Sequence, residues 1–446
     1  MKILLLGNFP REHHRVLIPD GRLATRGTHS CRGLAGLFLV GWLSMAPLAV
    51  PAAEALDASH LEALRAEVRA HHPSVAAARA RRAAADAGVK GVRLWEDPMV
   101  GLGFRAAEAD RRHDEGDLAF SVDQPLPRRR LFEARKSVAA AERSVMAADE
   151  QSAILSLEVS VGLAAYELAL LDESRRIQTN QVRWLENLVV VARGKLRDPA
   201  ASTAEALRME GEFARERQHL TGAEHRRASL ARQLSTLIGR PAESVWPELA
   251  LPEDAGATPP LEGVLARLPQ VNPMLRAGAG SSAAARASVD VARQEAKPVF
   301  SVGADSTVYS GGRFIDTMAV AKVTLPWFNR SVYQANIEQA RQKQQSLDRD
   351  RDSLEQRLRS EVMALHAEAE NAARQARTLR EDVIPRLDKA AQATENAWIS
   401  SQASLLELIE SRRSILAARL EERQLVTAHL VALESLRGLV PASVNP

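Results

Sequence analysis

The chain repeats itself, and the repeat limits what it can fold into. Residues 71–142 and 271–341 run in parallel, about 200 residues apart. His72-Pro73-Ser74-Val75 aligns with Asn272-Pro273-Met274-Leu275, and an Ala-rich helical stretch follows each. Asp97-Pro98-Met99-Val100-Gly101-Leu102-Gly103 then aligns with Lys297-Pro298-Val299-Phe300-Ser301-Val302-Gly303, and Gln124-Pro125-Leu126-Pro127 with Val323-Thr324-Leu325-Pro326. Ala-rich helices align by chance; Pro-anchored β segments at a nearly constant offset do not. The expected units are a first repeat over 57–260 and a second over 261–440. The first has strands at about 98–106 and 117–126, a long helix at about 131–196 and a return helix at about 202–239. The second has strands at about 298–308 and 316–325, a long helix at about 331–397 and a return helix at about 402–438.

The four strands alternate with period two. Val100, Leu102 and Phe104, then Leu118, Phe120 and Val122, then Phe300, Val302 and Ala304 fall on one face, continued by Ala319, Ala321, Val323 and Leu325. The other face carries small or polar residues such as Gly101, Ser121, Asp123, Gly303, Asp305 and Lys322. One oily and one polar face fits a barrel wall with lipid outside and water inside. A soluble sheet packed on a helix has the same alternation, but the neighbouring helices here are long, charged and Ala-rich. Two hairpins cannot close a barrel, since membrane barrels start at about eight strands. Open edges in lipid leave N–H and C=O groups unpaired, so several chains must pool strands. Three chains would give twelve.

Each long helix, at 1.5 Å per residue, extends about 100 Å, far beyond a single globular core. A return helix and a leading helix (57–94 or 262–296) laid end to end match that length. Ile154, Leu157, Val161, Leu168 and Leu171 recur at coiled-coil-like spacing. The monomer therefore supplies four rods of similar length.

Residues 1–53 read as a leader whose signal peptide is removed. Arg26 and Arg32 precede an apolar run, Gly33–Val50, and small residues follow at Ala52, Ala53 and Ala55. Pro47 and Pro51 interrupt the run, which is too short for a span. Lys2, Arg11, Arg15, Arg22, Arg26 and Arg32 against Glu12 and Asp20 account for the chain's excess of positive charge. No nucleic-acid partner is therefore implied. Cys31 is the only cysteine and lies in the leader, which leaves the exported part without thiol chemistry. No later segment reads as apolar enough for a membrane helix, so membrane entry is expected only as a barrel.

On these residues the sequence resembles the TolC family of outer-membrane efflux proteins over about 57–440. The carriers are His72-Pro73, Asn272-Pro273, Pro98, Pro298, Gln124–Pro127, Leu325-Pro326 and the hairpin segment Ala397–Leu408. The resemblance implies a mostly α fold with a small membrane β part. It implies a homotrimer with a 12-stranded β-barrel, four strands per chain, continuous with a 12-helix α-barrel in the periplasm. It also implies a passive duct in the outer membrane, bathed in outer-membrane lipid. The expected partners are a periplasmic adaptor (membrane fusion) protein and an inner-membrane pump of the RND type. Leu325-Pro326-Trp327-Phe328-Asn329-Arg330 followed by Ile337-Glu338-Gln339-Ala340 resembles the CzcC-like heavy-metal branch, which implies divalent metal cargo. A drug efflux or type I secretion duct of the same fold, or a periplasmic coiled-coil adaptor or structural protein, are the alternatives.

No catalytic constellation is visible: no HExxH, GxSxG or phosphate loop. No enzyme activity, cofactor or metal centre is expected. His71 and His72, adjacent in sequence, diverge on a helix. The family usually has Gly at the helix-hairpin tips; here Asp198-Pro199 and Ser400-Ser401 stand instead. Glu407 and Glu410 lie three apart just past the second tip, on one helix face, and Glu205 takes the matching place in the first repeat. The resemblance implies an acidic periplasmic aperture at these positions; ordinary surface acids favoured by a helix N-terminus are the other reading.

Overall fold

The computed structural model describes residues 54–104, 116–195, 203–252, 256–309 and 314–441. The leader, most of the two expected strand loops and the Asp198-Pro199 tip lie outside these residues.

The repeat is visible element by element. The first copy runs β1 (Glu54–Ala55), α1 (Ala58–His71), α2 (Pro73–Gly91), β2 (Met99–Phe104), β3 (Gly116–Pro125), α3 (Arg129–Lys195) and α4 (Thr203–Ile238). The second runs β4 (Leu249–Ala250), α5 (Leu261–Val271), α6 (Pro273–Glu295), β5 (Val299–Tyr309), β6 (Phe314–Thr324), α7 (Arg330–Thr378), α8 (Ile384–Ile399) and α9 (Leu405–Leu439). The short strands β1 and β4 pair in parallel and tie the start of one repeat to the start of the other.

Three expected helices are divided. The leading helices break at His72 and Asn272, because a residue before proline is pushed out of the α region. Both sit at extended angles (ψ 128° and 121°) and both cap the helix that follows. His72 Nδ1 accepts from Ser74 N at 3.2 Å, and Asn272 Oδ1 from Leu275 N at 3.1 Å. The second long helix passes through a π turn, Leu379–Val383, between α7 and α8. Pro385 follows it, and a proline there removes a helical N–H and crowds the preceding turn, which the wider π turn accommodates.

The expectation about membrane helices is also corrected. Helix α3 is long and apolar enough, by length and composition, to cross a bilayer. Its apolar stretch is spent elsewhere: Val161, Ala165, Leu168 and Ala169 are fully buried, in one cluster with Leu64 and Val68 of α1, Leu234 and Ile238 of α4, and Val426 and Leu430 of α9. A bundle core and a membrane span have the same composition. A second cluster, around Leu185, Met209, Trp398 and Leu408, holds the end near the second hairpin tip. A third joins α5, α6, α7 and the end of α9 around Leu268, Leu358 and Leu436.

Charges are buried inside this helical body. Glu434 takes Arg65 at 2.7 Å and Arg437 at 2.8 Å, and Glu158 takes Arg69 at 2.8 Å and Arg437 at 3.3 Å. Glu434 reaches its place because residue 162 is glycine; a Cβ there would lie 2.7 Å from its Oε1. Asp172 accepts from Arg227 at 3.1 Å and from the Leu249 amide at 3.0 Å, which anchors β4 to α3.

Candidate functional site

Strands β2, β3, β5 and β6 form one antiparallel sheet in that order. Val100 pairs with Val122, Leu102 with Phe120 and Phe104 with Leu118. Val122 pairs with Ala304, Gln124 with Val302, and Phe300 with Val323. All nine apolar residues singled out above therefore share one face. That face is open: Leu102 is 71% exposed, Phe104 78% and Phe300 56%. Strands β2 and β6 form the sheet's two edges, each paired on one side only among the described residues.

The opposite face holds an ion pair laid across a strand. Lys322 on β6 bonds to Asp123 on β3, although β5 lies between them. Gly303 on β5 makes the crossing possible. A Cβ there would stand 2.6 Å from the Val122 carbonyl oxygen and 2.8 Å from Asp123 Oδ1. Nothing in the binary pattern announces this pair, but a glycine opposite an acid with a lysine on the next strand is its signal.

At the second hairpin tip, α8 ends in a Schellman turn. Gln402 N donates to Ala397 O at 2.7 Å, and Ser401 N to Trp398 O at 3.1 Å. Ser401 takes the left-handed position usually given to glycine, with φ 61°. Helix α9 then opens with a capping box. Glu407 N donates to Ser404 Oγ at 3.2 Å, and Ser404 N to a Glu407 carboxylate oxygen at 3.0 Å. The pattern Ser404-x-x-Glu407 carries that signal in the sequence. Glu407 is thus bound to its own helix start, where a carboxylate satisfies an orphan amide and meets the helix dipole.

Glu410 is exposed and lies 3.6 Å from Arg413, which also bonds Glu212 on α4 at 2.7 Å. The bond to Glu212, reinforced by the charges of Glu212 and Glu410, raises the affinity of Arg413 for its proton. Glu205, in the first turn of α4, is exposed. Below them, the Arg412 guanidinium stacks 4.7 Å from the Trp184 ring, and Trp184 Nε1 donates to Glu395 at 3.2 Å. Three helices, α3, α8 and α9, are locked together at this end.

Among the described residues no group of three or more His, Cys, Asp and Glu is arranged to hold a metal. His366 and His429 are buried against backbone carbonyls instead. His366 Nε2 lies 2.9 Å from Pro259 O, and His429 Nδ1 2.9 Å from Ala369 O.

The family profile described as outer membrane efflux protein matches residues 264–440. Among solved structures, the outer-membrane channel OprN is similar with a TM-score of 0.75 at 16% identity, covering 87% of this chain and 91% of that one. The outer membrane protein VceC from Vibrio cholerae gives 0.73 at 15% identity, covering 86% and 96%. CusC gives 0.74 at 16% identity, covering 86% and 92%. No curated protein matches the sequence significantly. Nearly the whole of the second repeat thus matches the outer membrane efflux protein family, on a chain whose fold is that of the TolC-like outer-membrane channels.

Proposed function

We propose that the chain is the outer-membrane channel subunit of a tripartite efflux system. Three copies pool their strands into a twelve-stranded barrel, continuous with a twelve-helix periplasmic tunnel. The duct is passive. Cargo arrives from an inner-membrane pump of the RND type through a periplasmic adaptor.

One observation carries this reading: a four-stranded sheet with an exposed apolar face and two open edges, standing on helices about 100 Å long. Such a sheet is stable in lipid only when its edges are closed by further strands. Extraction of the outer membrane in mild detergent should therefore yield a heat-modifiable trimer that forms conducting channels in planar bilayers. A stable detergent monomer with full strand content would refute it.

For cargo we favour divalent metal cations, supported by the segment Leu325–Arg330 and its likeness to the heavy-metal branch. A deletion strain should become sensitive to divalent metals; sensitivity to drugs alone would replace metals by drugs. Glu410 and Glu205, exposed at the hairpin end, and Glu407 beside them are the groups we assign to an acidic aperture. Replacing Glu407 and Glu410 by Gln should lower cation preference in single-channel recordings. Unchanged selectivity would leave both as ordinary helix-start acids.

A further inference from the structure

Where the sheet meets the helices, large apolar and cationic side chains are exposed side by side. Trp95 precedes β2, and Trp327 and Phe328 follow β6; they are 55%, 57% and 83% exposed. Leu126 and Leu325 extend the apolar face beyond β3 and β6, and both are exposed. Directly after them come Arg129 and Arg130, which open α3, and Arg330, which opens α7. All three arginines are exposed. Nearby Arg93 and Arg135 have carboxylate partners, Asp97 at 2.7 Å and Glu295 at 3.1 Å. Arg129, Arg130 and Arg330 have none among the described residues.

These arginines also stand at the unfavourable end of their helices. Cations in a first turn oppose the helix dipole, and neither α3 nor α7 has an acid in its first turn to offset them. Solvation by water accounts for exposed arginines, but not for two tryptophans and a phenylalanine exposed at the same level. Exposed leucine followed by exposed arginine occurs at both strand–helix junctions, Leu126 with Arg129 and Arg130 and Leu325 with Arg330, with Trp95 before β2 and Trp327 and Phe328 after β6, so both repeats carry the feature. A feature repeated at one level suits a planar, anionic surface better than a single docked protein.

We propose that this junction is a docking band for anionic phospholipid headgroups on the periplasmic side of the outer membrane. The inference rests on the outer-membrane channel reading given above. Trp95, Trp327 and Phe328 occupy the boundary between headgroups and acyl chains, where amphipathic and aromatic rings settle. Arg129, Arg130 and Arg330 bind lipid phosphates, for which a guanidinium offers paired donors.

The test uses the purified full chain in phosphatidylcholine vesicles containing phosphatidylglycerol, with brominated acyl chains on one lipid or the other. Trp95 and Trp327 report by quenching, while Trp246 and Trp398 are buried in the helical body. Brominated phosphatidylglycerol should quench more than brominated phosphatidylcholine at equal mole fraction, with an enrichment of about fivefold that weakens in high salt. The triple variant Arg129→Gln, Arg130→Gln, Arg330→Gln should bring that ratio close to one. The corresponding triple Lys variant should keep most of it. A protein that inserts and conducts but has equal quenching by the two lipids, or an unchanged ratio in the Gln variant, overturns this proposal alone. Unchanged lipid preference with weaker capture of an adaptor would assign the arginines to a protein partner and overturn it too. A chain that stays in solution overturns the channel reading and this one with it.

Discussion

The sheet and the helical body distribute their chemistry in opposite ways. The sheet turns Val100, Leu102, Phe104 and Phe300 outward and keeps the cross-strand ion pair Asp123–Lys322 on the other face. The body does the reverse. Its outer surfaces are charged, its core is largely aliphatic, and the carboxylates it buries among the described residues, Glu150, Glu158, Asp172, Glu173, Glu422 and Glu434, each lie beside an arginine. A single chain with both patterns is built for two solvents. Exposed leucine and phenylalanine are unfavourable in water. Buried acids without partners are unfavourable in a protein interior. Each region makes sense only in its own medium, and the line between them runs through the Pro125 and Leu325 junctions.

The largest effect is expected in the body. Glu434→Ala removes the carboxylate between Arg65 and Arg437 and leaves these guanidinium groups with only the longer contacts to Glu62 and Glu158. Destabilisation of about 3–5 kcal/mol is expected, measured as a loss of thermal stability of the purified protein. If the variant unfolds like the wild type, the burial of charge in the body is not structural. From the sheet side, Leu102→Arg should block membrane assembly, at about 2–4 kcal/mol per mid-bilayer charge. Met318→Arg, exposed on the opposite face, should assemble normally. Equal damage from both would mean that the two faces meet the same solvent.

The two regions were also unequally legible from sequence. Period-two alternation is legible in the four strands of the larger sheet, because one residue of register decides which side each side chain takes, whereas the two-residue strands β1 and β4 are too short to have a period. The rods were legible in number and length. The prolines that divide them, Pro73, Pro273 and Pro385, stand in the sequence, yet the apolar periodicity runs on across each break and reads as one helix. The partners of Glu434 and Glu158 were not legible, since Arg65 and Glu434 are 369 residues apart and charge patterning reads only near neighbours. At the tip, Glu407 was singled out for its acid chemistry, while its bond to Ser404 answers to the local helix-start pattern. The Asp198-Pro199 tip lies outside the described residues.

A milder change probes the end of the body farther along the chain. Ser401 occupies a left-handed backbone position that L-residues other than glycine take at a cost of roughly 1–2 kcal/mol. Ser401→Gly should relieve part of that strain and stabilise the body by about 1 kcal/mol, read as a higher midpoint in urea. The sheet should be indifferent, so strand content measured in detergent should not change. A destabilised variant would mean that the Ser401 side chain holds the turn in a way its backbone hydrogen bonds do not.

The smallest effect at neutral pH comes from Tyr166, and it tests how dry the body is. Tyr166 lies on α3 with only 7% of its surface exposed. Burial raises its phenol to about 12, and the negative charge of Glu434 adds to that, while Arg65 and Arg437 oppose it. In the unfolded chain the phenol titrates near 10. A folded value above the unfolded one stabilises the fold fully below pH 10, and that contribution is lost as pH rises from about 10 to about 12. At neutral pH the group is protonated in both states and Tyr166→Phe should be nearly silent in titration-linked stability. Absorbance titration of the folded protein should contain one phenol that ionises well after an ordinary tyrosine, and Tyr166→Phe should remove it. If all the phenols ionise together near 10, water and hydroxide reach the core beside Glu434, and the contrast between a dry body and an exposed sheet is weaker than the burial of its side chains implies.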